Sequence, residues 1–171
     1  MSFRSLRHIT GIILSIILVI VLVVPTSASN NPTITISSLN ISAEIKEFRL
    51  SGGTWTIDPW EKGIGHLEDT GWFDNPTNIV LAGHSTMPNG KPGVFTTLND
   101  LSLGQEIVLF DGNADRHYQI IDIRVVPVDD VSVVMPTDHE RLTLITCEIG
   151  SYDEVSQGYT QRLVVIADRV S

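Results

Sequence analysis

The only cysteine of the chain, Cys147, ends the stretch Leu142–Cys147, in which apolar residues alternate with threonine. Such alternation predicts a half-buried strand. A thiol at the point where a strand passes into a polar loop either fills the core or serves as a nucleophile. A nucleophilic cysteine needs a partner that stabilises its thiolate and a proton donor for the leaving group. Because there is only one cysteine, an internal disulfide and a zinc site built from several cysteines are excluded.

Histidine is a common proton donor, and His84 is the strongest candidate among the five histidines of the chain. The apolar stretch Asn78–Ala82 predicts a buried strand, and His84 follows this stretch after a single residue. That residue is Gly83, which lets the backbone turn sharply at the end of the strand. A rigid strand that ends in an exposed side chain commonly presents a catalytic group. Spacing alone leaves a second interpretation open, an ordinary loop histidine. The other histidines are interpreted as structural or surface residues, or lie beside the N-terminal apolar segment: His66, His117, His139 and His8.

A third candidate is Arg162, which opens the last predicted strand, Arg162–Asp168. A guanidinium at a strand end can point into a site and stabilise a developing oxyanion. The alternative is a surface ion pair with one of the many carboxylates. The order of the candidates along the chain argues against a papain-like protease. Those proteases place the cysteine before the histidine, whereas here His84 precedes Cys147.

The pattern of the remaining chain is mostly of period two, which predicts short strands rather than helices. The segment Gly63–Leu67, which contains His66, is predicted as a glycine-rich loop. Single helical turns or short helices are predicted at Asp58–Lys62 and Val94–Leu101. About eight strands with few helices indicate an all-β domain, either a closed or nearly closed barrel or a sandwich. The predicted strands are Thr33–Ser37, Leu39–Ile45, Asn78–Ala82, Glu106–Phe110, His117–Val126, Val131–Val134, Leu142–Thr146 and Arg162–Asp168.

The N-terminal residues predict a membrane segment. A short basic flank, 1–8, precedes an uncharged apolar stretch, and 9–26 is predicted to be a transmembrane signal anchor. The basic flank places the N-terminus in the cytoplasm and the following domain outside the membrane. Cleavage as a signal peptide at Thr26-Ser27-Ala28 is the alternative. Residues 27–32 are predicted as a linker, and 33–171 as one catalytic domain.

The charge of the chain excludes one class of partner. The net charge is −9, and every acidic residue lies at or beyond Glu44, after Arg4 and Arg7, so the domain carries −9 − 2 = −11. Because binding to phosphates requires a basic face, nucleic acid is excluded as a partner. The acidic balance fits solubility, or a cationic or amine-bearing substrate. Acidic loop residues such as Asp129 and Asp153 lack a metal-ligand spacing, so no metal and no cofactor is predicted.

Taken together, these strings resemble the sortases, a family of membrane-anchored cysteine transpeptidases of bacterial surfaces. The likeness covers nearly all of 33–170 together with the anchor. The matching segments are Asn78–Ser85 (NIVLAGHS), Leu142–Cys147 (LTLITC) and Arg162–Ala167 (RLVVIA), with Gly65–Glu68 (GHLE) and Gly93–Leu98 (GVFTTL) as further family-like segments.

The resemblance implies an eight-stranded closed β-barrel with one or two short helices. It also implies Cys147 as the nucleophile, His84 as the general acid and base, and Arg162 as the anchor of the oxyanion or substrate. His66 does not match the family's catalytic histidine and stays a structural residue. The anchor and the compact domain suit a class A, D or E type, and nothing in the sequence identifies one sorting signal.

By this resemblance, the substrates are surface proteins that carry a C-terminal sorting signal, Leu-Pro-x-Thr-Gly or a relative. A Cys147 thioester would pass the acyl group to an amine of a peptidoglycan precursor or of a pilin lysine. Two other classes stay open. One is a membrane-tethered extracytoplasmic β-barrel that binds a partner and simply buries Cys147, and the other is a hydrolytic cysteine peptidase.

Overall fold

The computed structural model describes residues 30–170. This part of the chain forms twelve strands and four 3-10 helices. The strands are β1 (Thr33–Ile36), β2 (Ile41–Phe48), β3 (Leu50–Ser51), β4 (Thr54–Trp55), β5 (Ile64–Leu67), β6 (Asn78–Ala82), β7 (Glu106–Phe110), β8 (Asp115–Pro127), β9 (Arg141–Cys147), β10 (Tyr152–Asp153), β11 (Gly158–Tyr159) and β12 (Gln161–Arg169). The 3-10 helices are Ser37–Leu39, Leu98–Asp100, Val131–Val134 and Ile149–Ser151.

Eight of the strands close into one barrel, in the order β1-β2-β5-β6-β9-β12-β8-β7, with β7 pairing back onto β1. The eight-stranded closed barrel implied by the family resemblance is therefore confirmed, and the sandwich that the strand pattern left open is not what the structure has. Two neighbouring pairs are parallel, β2 with β5 and β6 with β9, and the others are antiparallel. The four remaining strands form two small hairpins, β3–β4 and β10–β11, outside the barrel.

One predicted strand is wrong, since Val131–Val134 is a 3-10 helix. The run of valines has the composition of a strand, but a local hydrogen bond decides its conformation. The Asp130 side chain accepts a hydrogen bond from the backbone N–H of Ser132 and caps the helix. Capping by a short acidic side chain favours a turn of helix over extended backbone.

A second correction concerns the segment around His66. The sequence predicts a glycine-rich loop, whereas the structure has the barrel strand β5, with all four residues buried. A Cβ at Gly65 would overlap the ring of Phe48 on the neighbouring strand. Gly65 is therefore required for close packing inside the sheet rather than for a flexible loop.

Of the two predicted helical segments, one matches the structure and the other is shorter than expected. At Asp58–Lys62 there is a single turn, as predicted, closed by a hydrogen bond from Glu61 N to Asp58 O at 2.9 Å. Within Val94–Leu101, only Leu98–Asp100 is helical, and it is a 3-10 helix. The other predicted strands are present with ends shifted by a few residues, as is usual for element boundaries.

Strand β6 is buried on both faces, which explains its uninterrupted apolar sequence. Ile79 and Leu81 belong to the main core inside the barrel. Val80 and Ala82 point the other way and pack in a second cluster with Phe48 and Leu67, against which Trp55 and Ile57 also pack. Because both faces are covered, the strand holds the residues at its C-terminal end in a fixed place.

A polar cluster centred on Glu140 lies next to the start of β9. Its carboxylate accepts hydrogen bonds from the Tyr118 hydroxyl at 2.6 Å, from Arg116 Nη1 at 3.1 Å and from Arg169 Nη1 at 2.7 Å. Burial alone would raise the pKa of Glu140, but these three donors outweigh it and hold the pKa below its ordinary value. The cluster thus ties β8 and β12 to the segment that leads into β9.

The predicted basic flank, 1–8, and the predicted anchor, 9–26, lie outside the described residues, as does the first half of the linker 27–32. Within residues 30–170, no helix has the length and apolar character needed to cross a membrane.

We expect Glu140→Gln to lower the free energy of unfolding at neutral pH by about 3 kcal/mol, because two guanidinium groups lose a partly buried anionic partner. Since the pKa of Glu140 is lowered in the folded state, its contribution is complete above the unfolded pKa of about 4.3 and is lost as pH falls through the folded value. The stability gap between wild type and variant, measured by urea unfolding, should therefore narrow towards acidic pH. The exposed Glu106, replaced by Gln in the same way, is the control, and an equal loss in both variants would contradict the expectation.

Candidate functional site

Three strand ends meet at one edge of the barrel. Because β6 and β9 are parallel and Ala82 pairs with Ile145, the residues that follow, up to His84 and Cys147, emerge side by side. On the other side of β9, the antiparallel strand β12 begins at this same edge, and Arg162 pairs directly with Cys147. The structure therefore brings together the three residues singled out in the sequence.

Thr146 fastens the strand ends to each other. Its hydroxyl, which is buried, donates a hydrogen bond to the carbonyl oxygen of Gly83 at 2.8 Å. In return, Gly83 N donates to the carbonyl oxygen of Ile145 at 3.2 Å. These two bonds continue the β6–β9 ladder past the last strand residue, so the neighbours His84 and Cys147 have a common support.

Two glycines are required around His84: Gly83, which precedes it in sequence, and Gly93, which packs against its backbone. A Cβ on Gly83 would lie 2.7 Å from Val94 Cγ1 and 2.9 Å from Phe95 Cδ2. A Cβ on Gly93 would overlap the carbonyl group of His84. The loop that returns after His84 is held against it by hydrogen bonds from Phe95 N to His84 O at 3.0 Å and from Gly93 N to Ser85 O at 2.9 Å.

The His84 ring is half-buried and is oriented by the turn that starts at Asp58. Its Nε2 lies 3.1 Å from the carbonyl oxygen of Asp58. Since a carbonyl oxygen only accepts, Nε2 is the donor and carries a hydrogen in this arrangement. This contact cannot be predicted from the sequence. Every residue has a backbone carbonyl, so the residue type at a position 26 residues upstream does not indicate that its carbonyl contacts His84.

The environment of Cys147 both hinders and favours the thiolate. Burial is the larger effect and raises the pKa of the thiol, while the positive charge of Arg162 acts to lower it. Arg162 Nη1 donates to the carbonyl oxygens of Tyr159 and Gln161, each at 3.1 Å. Within residues 30–170, no carboxylate lies within salt-bridge distance of this guanidinium, so the structure does not support the alternative of a surface ion pair.

A groove of about 460 Å³ opens over these three residues. Its walls are largely apolar and come from the β3–β4 hairpin and the segment after it, from the end of β8 and from the 3-10 helix Val131–Val134. The wall residues include Trp55, Ile57, Val126, Val128, Val133 and Ile145. An apolar groove that ends at a few polar groups is the usual form of a ligand site.

Sequence reasoning missed most of the wall residues of this groove. Trp55 and Ile57 belong to a short hairpin and its extension, and Val128 lies beyond the end of a strand. Their residue types are those of any core, and their role depends on long-range folding of loops over the barrel edge. No local sequence pattern carries that information.

A second, small cavity of about 40 Å³ borders Cys147 beside Ser85. The Ser85 side chain is 1% exposed, and its hydroxyl has no hydrogen-bond partner within residues 30–170. Buried polar groups without a hydrogen-bond partner are rare in native structures. The sequence interpretation did not single out this serine, although it directly follows His84.

The other described histidines lie away from the groove. His66 is buried in β5, with Nε2 2.9 Å from Gly71 O and 3.0 Å from Thr70 Oγ1, and burial lowers its pKa. His117 contacts Glu106, and His139 contacts carboxylates at positions 138 and 168. His8 lies outside the described residues. Of the histidines in residues 30–170, His84 alone lines the groove.

Comparison with known proteins gives a consistent match. The sequence model of the sortase domain covers residues 34–170. Sortase D of Bacillus subtilis (strain 168) is 32% identical over 96 residues, which are 56% of this chain and 46% of that protein, so the match spans about half of this relative.

Solved structures agree with this result. The chain superimposes on a Clostridium perfringens sortase D5 transpeptidase with a TM-score of 0.65 and 23% identity, covering 82% of this chain and 79% of that one. It superimposes on a pilus-related sortase C of Group B Streptococcus with a TM-score of 0.65 and 27% identity, covering 85% of this chain and 70% of that one. The first match, at its low identity, supports the fold alone.

We expect Gly93→Ala to displace the backbone of His84 and to cost about 1–3 kcal/mol of stability, since the added methyl group overlaps the His84 carbonyl. The measurements are urea unfolding and the NMR signals of the His84 ring. Gly150→Ala is the control, because a Cβ there meets nothing closer than Glu148 Oε1 at 3.6 Å. Unshifted His84 signals in Gly93→Ala would contradict the close contact.

We also expect Arg162→Gln to raise the pKa of the Cys147 thiol further, because burial then acts without the opposing positive charge. When alkylation by iodoacetamide is followed as a function of pH, the midpoint of the profile should shift upward. Arg124→Gln serves as the control, since Arg124 is exposed and pairs with Asp122. An unchanged midpoint in Arg162→Gln would show that this guanidinium does not act on the thiol.

Proposed function

Since this chain belongs to the sortase family, we propose that it is a cysteine transpeptidase in which Cys147, His84 and Arg162 carry the reaction. The proposed substrate is a surface protein with a C-terminal sorting signal, Leu-Pro-x-Thr-Gly or a relative. The observation that supports these roles best is the common barrel edge, at which Arg162 pairs with Cys147 and His84 ends the neighbouring strand.

In the first half of the proposed reaction, the Cys147 thiolate attacks the carbonyl carbon before the scissile bond. A carbon–sulfur bond forms, and the carbon–nitrogen bond then breaks. His84 gives a proton to the departing amine, which leaves as a neutral group. The product is a thioester between Cys147 and the N-terminal part of the substrate.

In the second half, an amine attacks the thioester carbonyl and His84 takes up its proton. The carbon–sulfur bond breaks, and Cys147 leaves as a thiolate. A thioester suits this sequence of steps because it keeps the acyl group reactive until an amine arrives. When water takes the place of the amine, the product is a free acid.

Arg162 is proposed to stabilise the oxyanion that forms in both halves. Its Nη1 is already held by two backbone carbonyls, so the guanidinium is fixed in place before substrate binds. Its other N–H groups make no hydrogen bond within residues 30–170, which leaves them available to a substrate oxygen. A preorganised donor of this kind contributes more than one that must be ordered during the reaction.

The groove gives the substrate an apolar binding surface. Trp55, Ile57 and Val133 supply contacts that suit the apolar residues of a sorting signal, and the groove leads to Cys147. The proposed acceptor is an amine of a peptidoglycan precursor or of a pilin lysine. We further propose that residues 9–26 hold the chain in the bacterial membrane, with residues 33–171 on the extracytoplasmic side.

The test is to trap the acyl-enzyme. We expect the wild-type chain, mixed with a sorting-signal peptide, to gain the mass of the N-terminal peptide fragment on Cys147. Cys147→Ala should show neither the adduct nor cleavage. Cleavage of the peptide by Cys147→Ala would overturn the assignment.

Two further measurements separate the rival functions. Adding an amine should convert the free-acid product into a ligated one, whereas a hydrolytic peptidase would give only the acid. A binding protein with an inert thiol would show slow alkylation without the pH dependence that a neighbouring histidine produces.

A further inference from the structure

A surface depression of about 420 Å³, distinct from the groove and from the small cavity beside Ser85, is lined by residues near His84 in sequence and by the turn after Asp58. It forms where the turn after Asp58 faces the loop that follows His84. Trp60 and Lys62 come from the turn, and Met87 and Lys91 come from the loop. The side chain of Trp60 is 60% exposed, which leaves a large flat apolar face towards solvent.

The charge of this depression is opposite to that of the domain around it. The chain has three lysines, Lys46, Lys62 and Lys91, and two of them line the depression. Lys46 pairs with Glu61 at 2.7 Å, but no carboxylate lies within salt-bridge distance of Lys62 or Lys91 within residues 30–170. No acidic residue is among the lining residues either. In a domain of net charge −11, these two lysines make the depression locally positive, which favours an anionic group there over the rest of the surface.

The depression borders the backbone of His84. Gly93, which lines it, packs directly on the His84 carbonyl. On the other side, Asp58 bonds to the His84 ring through its carbonyl oxygen, two residues before Trp60. The depression therefore lies against the backbone of His84, whose side chain lines the neighbouring groove that contains Cys147.

We propose that this depression binds a short peptide acceptor of the second half-reaction through the carboxylate at the end opposite its amine. The proposal rests on the transpeptidase function above, because the incoming amine must reach the thioester beside His84. The acidic domain as a whole attracts the ammonium end of such a zwitterion, and Lys62 and Lys91 receive its carboxylate. Trp60 supplies an apolar face for the chain between the two ends.

The selectivity expected is for peptides that combine a free amine with a free carboxylate. An exposed ion pair contributes little by itself, so two lysines give a preference of about three- to tenfold over an uncharged analogue. Because both lysines are exposed, salt should weaken this preference.

The experiment compares triglycine with triglycinamide as acceptors for the full chain acylated by a sorting-signal peptide. We expect the wild type to show a KM for triglycine about three- to tenfold lower than for triglycinamide. In the double variant Lys62→Ala/Lys91→Ala, the KM for triglycine should rise to that for triglycinamide. The rate of acyl-enzyme formation should stay unchanged, because neither lysine lines the groove.

Lys46→Ala is the matched control, since it removes the same charge from a lysine that is paired with Glu61 and does not line the depression. It should keep the wild-type preference for triglycine. A wild-type enzyme without preference, or a double variant that keeps it, would overturn the proposal.

A binding measurement separates failure of this proposal from failure of the transpeptidase function. Triglycine is titrated into Cys147→Ala, and the indole N–H signals of the three tryptophans are followed by NMR. We expect the Trp60 signal to shift with triglycine and much less with triglycinamide, while Trp72, which lies elsewhere against His66, stays unchanged. If no acyl-enzyme forms but Trp60 shifts, the function is wrong and the anion site stands. If the acyl-enzyme forms and Trp60 does not respond, the site is wrong.

Discussion

The parallel pairing of β6 with β9, carried past its end by the Thr146–Gly83 hydrogen bond, is the constraint on which the site depends. Parallel strands end at the same edge, so this pairing brings together two residues that are far apart in sequence. Antiparallel addition of β12 then places Arg162 opposite Cys147. None of the three residues sits at the tip of a free loop, and each takes its position from the hydrogen-bond ladder of the barrel.

The electrostatics of the site follow from the same arrangement. A thiol at the end of a buried strand is partly removed from water, which works against its ionisation. The strand that supplies the opposing charge is also the one that covers Cys147 on that side. Burial of this strand end therefore raises the pKa of Cys147, while Arg162 on the paired strand lowers it in part. Arg162 is held by two backbone carbonyls and not by a carboxylate, which would neutralise its charge.

Much of this arrangement could be predicted from sequence, and the failures have physical reasons. Strands β6, β7 and β9 can be predicted because their sequences are either continuously apolar or alternate between apolar and polar residues. The β-branched composition of Val131–Val134 predicts a strand, but one capping hydrogen bond from Asp130 outweighs it. The two glycines of Gly63–Leu67 predict a loop, whereas Gly65 serves close packing of β5 against Phe48.

The site shows the same division between local and long-range information. The residues at strand ends could be found from their neighbours in sequence, because each follows a recognisable strand. The contact of His84 with Asp58 O and the apolar walls of the groove could not, since loops folded over the barrel edge create them.

The order of the barrel strands has a consequence for how the candidate site is assembled. In the closed sheet, the last strand in sequence, β12, lies between β8 and β9 and not at the end of a meander. During synthesis, β9 and its thiol are made first, and the position opposite Cys147 stays unfilled until residues 161–169 follow. An incomplete chain thus contains Cys147 but lacks both barrel closure and the Arg162 guanidinium beside the thiol. The candidate site is assembled only when the barrel closes, so any chemistry at Cys147 depends on completion of the fold.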